Sequence, residues 1–150
     1  MDINNMKRVL VPIDFSEYSK NALQYAIPFA KKFGAELLLV YVVEPTIYPA
    51  DFSFGQVGNP GLESEMREKG EKSLDRLVKE QVAKQVPARS FICTGNPFLE
   101  IIRVAKEEQV DLIIIASHGH SGVEHLLFGG TAEKVVRKAP CSVLVVRSKV

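Results

Sequence analysis

Two polar stretches interrupt a chain that otherwise alternates apolar runs with amphipathic segments. The first, Asp14, Ser16 and Glu17, follows directly on Pro12 and Ile13; the second, Ser117-His118-Gly119-His120-Ser121-Gly122, follows an apolar run ending at Ala116. Hydroxyls and glycine-rich backbone at such positions suit the holding of an anion. Backbone without a Cβ can approach a phosphate closely and reach positive φ. A helix starting near Gly130-Thr131 would also point free N–H groups and a partial positive charge back at the second stretch. Asp14 has another reading: a carboxylate just after a strand can cap the following helix by accepting backbone N–H bonds.

Other chemistries find less support. His118, His120 and His125 form an H-x-H-x4-H pattern without a carboxylate or Cys partner, which is no recognised metal site, so no metal is expected. A phosphoryl-transfer enzyme wants a Lys on the β/γ-phosphates and a carboxylate for Mg²⁺. No Lys lies between Ala116 and Glu133, and G-x4-G-K-[S/T] is missing. Ser117, Ser121 and His118 are neighbours in sequence, which does not make a triad. No catalytic residue is assigned; activity beyond slow hydrolysis is not expected. Cys93 and Cys141, far apart and beside apolar segments, read as reduced core residues.

The elements that must position these stretches follow from periodicity. Arg8–Ile13 is a short β-branched run. A helical pattern follows, with Ala22, Leu23, Ala26, Ile27, Ala30 and Phe33 recurring at three and four, capped by Ser16, ended by Gly34 and bent at Pro28. Glu36–Val43 is apolar throughout, as in a strand covered on both faces. Residues 44–60 lose periodicity and collect Pro and Gly, which reads as a long loop: a mobile insertion, a lid or a partner surface. A second helix is expected from Leu62 to about Lys84, with Glu65–Lys69 and Glu68–Lys72 spaced for surface ion pairs. Ala88–Thr94 is a weaker strand, and Asn96-Pro97 starts a third helix. Asp111–Ala116, a helix from about Thr131 to Lys138 and a strand Cys141–Arg147 complete the chain.

This βα alternation implies a parallel open sheet with helices on both faces and right-handed crossovers, in one domain spanning residues 1–150. Neither an internal repeat nor a low-complexity segment is present. In such a sheet ligands sit beyond the carboxyl ends of the strands where the strand order reverses, and with the first strand central the two polar stretches meet there. With 19 Lys+Arg against 18 Asp+Glu, the formal net charge of +1 gives no reason to expect a nucleic-acid partner. The N-terminus lacks the pattern of a signal peptide, and the longest apolar run, Leu37–Val43, is far below the ~20 residues of a membrane helix, so a cytoplasmic protein is expected.

The opening RVLVPIDFSEYSKNALQYAIPFAKKFGAELLLVYVVEP and the closing IIIASHGHSGVEHLLFGGTAEKVVRKAPCSVLVV together resemble the universal stress protein family over essentially the full length. ATP-binding members share G-x2-G-x9-G-[S/T] after the fourth strand. Here the first glycine is Ala116, the second Gly119, the third Gly129, and the Ser/Thr position is Gly130 with Thr131 next. The resemblance implies a Rossmann-like, adenine nucleotide alpha-hydrolase-like fold of five strands in order 3-2-1-4-5. It further implies an ATP-binding stress-response protein, with Mg²⁺ an accompanying candidate. Asp14 would meet the ribose or adenine end, backbone near Val42 the adenine, and Pro12 and Ile13 the base pocket. Ala116, Ser117, His118 and Gly119, with Gly129, Gly130 and Thr131, would hold the phosphates. The methyl of Ala116 is compatible with that role if its φ is negative and would crowd the ligand if positive. A symmetric homodimer through the last strand is implied as well. The alternatives are a weak ATPase using His118, and a dimeric protein with an empty pocket that acts through protein contacts.

Overall fold

The computed structural model describes residues 2–45, 60–118 and 130–147. Five parallel strands form one sheet: β1 (Arg8–Pro12), β2 (Glu36–Val43), β3 (Ala88–Thr94), β4 (Leu112–Ala116) and β5 (Ser142–Val146), ordered β3-β2-β1-β4-β5. The helices are α1 (Glu17–Phe33), α2 (Pro60–Leu77), α3 (Pro97–Glu107) and α4 (Thr131–Lys138). The expected strand order, the central first strand and the doubly wound architecture are all present.

Alternation along the strands divides the core into two layers. Val9, Val11, Ile13, Leu37, Leu39 and Ile114 pack under α1 and α2. Leu10, Leu38, Val40, Ile113 and Ile115 pack under α3 and α4. Both faces of β2 and β4 are therefore covered, which is why these strands read as unbroken apolar runs. Cys93 is buried and Cys141 half-buried, and both are free thiols.

Local signals act as the sequence suggests. Ser16 caps α1 by accepting from the Ser19 N–H, Gly34 ends it at φ 66°, and Asn96 caps α3 ahead of Pro97. Helix α1 continues through Pro28 as one element. Pro28 removes the hydrogen bond to the carbonyl of Gln24, but both residues lie on the exposed side, where water can satisfy that carbonyl. The ion pairs Lys69–Glu65 and Lys72–Glu68 both form at 3.4 Å along exposed α2.

Three expectations need correction. The second helix does not stay α-helical to Lys84: after Leu77 it widens into a π-helical turn, Val78–Val82, with the Ala83 N–H donating to the Val78 carbonyl over 2.8 Å. Asp111 lies just before β4 and ties its start to β1: its N–H donates to the Arg8 carbonyl at 3.0 Å, and its side chain accepts from the Lys7 and Arg8 N–H groups at 2.8 and 3.0 Å. The last strand is shorter than Cys141–Arg147 by one residue at each end. Residues 46–59 of the 44–60 stretch lie outside the described residues, and Pro60 already opens α2, two residues ahead of the expected Leu62.

Candidate functional site

Strand β1 sits between β2 and β4, so the chain reverses its direction of travel across the sheet at the β1–β4 boundary. The β1–β4 register covers only Val9↔Leu112 and Leu10↔Ile113, whereas β1–β2 runs on to Pro12↔Val40. Proline explains the difference. The Ile13 N–H donates to Val40 at 2.8 Å and Lys7 accepts from Glu36, so the odd-numbered peptides of β1 face β2 and the even-numbered ones face β4. The next donor toward β4 would be residue 12, and Pro12 has no N–H. The ladder stops there, and the two strands part at their carboxyl ends.

The chain leaves β1 through a tightly bonded turn. Asp14 Oδ1 accepts from the Ser16 N–H at 2.9 Å and from Ser16 Oγ at 2.5 Å. Ser19, buried in the first turn of α1, donates from Oγ to the Ser16 carbonyl at 3.1 Å and accepts the Asp14 N–H at 3.3 Å. The helix cap is thus Ser16, and Asp14 builds the turn that delivers it. Between them Phe15 stands at φ 64°, a left-handed conformation that costs a non-glycine residue roughly 1–3 kcal/mol and collects at functional turns. Its ring packs on Tyr41 of β2, centroids 5.0 Å apart. Burial, then the charges of Asp14 and Glu44, push the Tyr41 phenol above its ordinary pKa.

On the other wall Ala116 is buried at the end of β4, and positive φ among non-glycine residues occurs, in the described residues, only at Phe15 and Gln109. Ala116 therefore has the negative φ that accommodates a methyl, and that methyl packs into the layer beneath α1 with Leu112, Ile114 and Val146. The Ser117 N–H donates to Val146 over 3.0 Å, so by alternation the Ala116 peptide faces the β1 side, past the end of the ladder. Ser117 Oγ and His118 Nδ1 are hydrogen-bonded at 2.9 Å, and the His118 ring lies 5.4 Å from that of Tyr18 on α1.

Val42 is half-buried near the carboxyl end of β2, two residues beyond the Val40 that pairs with Pro12, and its peptide likewise faces the β1 side. Gly130 is the residue before α4 and brings no side chain to cap it; Thr131, the first helical residue, is exposed. Pro12, Ile13, Asp14, Val42, Ala116, Ser117 and His118 thus gather at one end of the sheet. Gly119 and Gly129 lie outside the described residues, as do His120 and His125. Among the described residues no cluster of metal-binding side chains occurs. The sequence reading did not single out Phe15, Ser19 or Tyr41. For Ser19 a signal existed, a second hydroxyl three residues after the cap in Ser16-Glu-Tyr-Ser19.

The model of the universal stress protein family matches residues 5–147. A universal stress protein of Methanocaldococcus jannaschii is 34% identical over 147 residues, which cover 96% of this chain and 84% of that protein. The structure of the universal stress protein UspA from Lactobacillus plantarum superposes with a TM-score of 0.78 at 28% identity, over 95% of this chain and 99% of that one. Two more distant structures share the fold at TM-scores of 0.63 and 20% identity. One is a universal stress protein in complex with cAMP (97% of this chain, 99% of that one). The other is an Arabidopsis thaliana family member with AMP bound (96% and 93%). With its strand order, its family match and a relative above 30% identity in agreement, the chain belongs to the universal stress protein family.

Proposed function

We propose that this protein binds an adenine nucleotide, ATP with Mg²⁺ as the leading candidate, in the crevice between the carboxyl ends of β1 and β4, and serves as a nucleotide-responsive regulatory module. The observation that carries the reading is the end of the β1–β4 ladder at Leu10↔Ile113, enforced by Pro12, at the point where the strand order reverses. Pro12 and Ile13 line the base pocket, Asp14 takes the ribose or adenine end, and the Val42 peptide, which faces the β1 side, meets the adenine edge. Ala116, Ser117, His118 and Gly119 with Gly129, Gly130 and Thr131 hold the phosphates. The negative φ of Ala116 supports retention of this site despite the missing first glycine of the motif, because its methyl occupies the core and not the crevice. The Gly130 peptide keeps its N–H for the phosphate, and Thr131 offers an Oγ one residue on. The relatives with bound AMP and cAMP favour the same ligand class.

The module pairs with a second copy through β5. Among the described residues that strand is a sheet edge with unpaired N–H and C=O groups, and it exposes Leu144 and Val145. The ligand assignment is tested by denaturing the purified protein and resolving the released small molecules by anion exchange. An adenine nucleotide in proportion to the protein is expected; its absence, joined to no uptake of added ATP and Mg²⁺, rejects the assignment. A second reading, slow ATP hydrolysis, draws on the Ser117–His118 hydrogen bond. Equal background phosphate release by the native protein and His118→Ala removes it.

A further inference from the structure

Helix α2 carries a glycine where its buried stripe calls for an apolar side chain. Met66, Gly70 and Leu74 succeed one another at four-residue spacing, and Gly70 is buried. A Cβ at Gly70 would stand 2.3 Å from Cε1 and 2.6 Å from Cδ1 of Tyr41, distances no packed structure tolerates without the ring moving. Bare helix backbone is thus what lets the Tyr41 ring fill this space. The same ring meets Phe15, centroids 5.0 Å apart at an interplanar angle of 56°. Phe15 is the residue at positive φ, and it lies between Asp14 and Ser16, whose side chains close the turn after β1.

We infer that Tyr41 is a positioning residue for the crevice: backed by Gly70 of α2, its ring holds Phe15 in its left-handed conformation and so fixes the Asp14 carboxylate at the carboxyl end of β1. A bulky residue keeps such a conformation only where its surroundings over-determine it, and the aromatic contact is that surrounding. The chain Gly70–Tyr41–Phe15–Asp14 therefore links α2, the helix that follows the 46–59 stretch, to the site. A second tie runs from the same helix to the neighbouring strand end, where Arg67 donates to Thr94 Oγ1 at 2.9 Å and to the Ile92 carbonyl at 3.2 Å. Seating of α2 becomes a setting of nucleotide affinity. This role in affinity rests on the nucleotide reading above; the mechanical link does not.

The test uses the full chain and two readouts. In Gly70→Ala the Asp14, Phe15 and Ser16 amide resonances should shift, although the substitution lies on another element. ATP affinity with Mg²⁺ should fall about fivefold or more. Glycine at position 15 needs no ring to hold positive φ, so in a Phe15→Gly background Gly70→Ala should change affinity less than about twofold. Should Gly70→Ala fail to fold, Tyr41→Leu takes its place, and Tyr41→Phe, which keeps the ring, should restore both readouts. Unmoved amide resonances, or affinity losses that simply add in the double variant, overturn the positioning role. Native protein that binds no adenine nucleotide while the resonances still shift rejects the nucleotide reading and leaves the link standing.

Discussion

The rings of Tyr18 and His118 lie 5.4 Å apart, one in the first turn of α1 and the other just past β4, and so bridge the two chain segments that flank the crevice. Their centroid separation falls inside the roughly 4.5–7 Å over which aromatic rings attract one another, with the planes inclined at 33°. A cycle of Tyr18→Leu, His118→Leu and the double variant, followed by urea unfolding, should return a favourable coupling of about 0.5 kcal/mol or more. Strictly additive losses would show that the segments meet without holding one another.

Asp14 has a structural duty and a proposed ligand duty, and the two separate experimentally. Asp14→Ala removes the acceptor of the Ser16 N–H and Oγ bonds, which should cost about 1 kcal/mol of stability. If the carboxylate also bonds the nucleotide, ATP affinity should fall by a further ~1–3 kcal/mol equivalent. A lowered melting temperature with native affinity would reduce Asp14 to a turn residue.

Ala116 departs from the nucleotide-binding motif, yet its methyl sits in the layer under α1. Restoring glycine should therefore leave ATP affinity within about twofold, and should lower stability by about 1–2 kcal/mol through lost burial and added chain entropy. A large gain in affinity by calorimetry would mean that the methyl does obstruct the phosphates.

Alkaline stability follows from the thiols. Burial, then the charge of Asp111, pushes the Cys141 pKa up from 9.0 to about 11. A group whose folded pKa is raised stabilises fully below its unfolded pKa and loses that contribution as pH rises to the folded value. Stability should accordingly fall between about pH 9 and 11, with the raised Tyr41 phenol acting in the same direction. Urea midpoints across that interval should decline less steeply in Cys141→Ala; parallel slopes would rule out Cys141 as a source.

What the sequence made legible and what it hid divide along physical lines. Strands β2 and β4 announce themselves because both faces are covered, and Ser16, Gly34 and Asn96 mark helix ends because capping is a local bargain between a side chain and nearby peptides. The strand order follows only from family resemblance, since pairing joins residues as distant as Leu10 and Ile113. Long-range contacts stayed hidden for the same reason. Gly70 could have been noticed as a gap in the apolar stripe of α2, but nothing local says that Tyr41 fills it. The family resemblance implies only a pocket-lining Pro12, while its missing N–H, which parts β1 from β4, shows only once the facing of alternate peptides is known. The left-handed Phe15 is equally silent, because bulky side chains rarely adopt that conformation and no residue type signals it.

The central claim is that the parted ends of β1 and β4 form a nucleotide site. Isothermal titration of the full chain, stripped of any co-purified ligand, with ATP and Mg²⁺ and separately with AMP tests it most directly. Saturable binding near one nucleotide per chain, weakened by Asp14→Ala, is the predicted result. The absence of saturable heat with either nucleotide, from a protein shown to be folded, would contradict it.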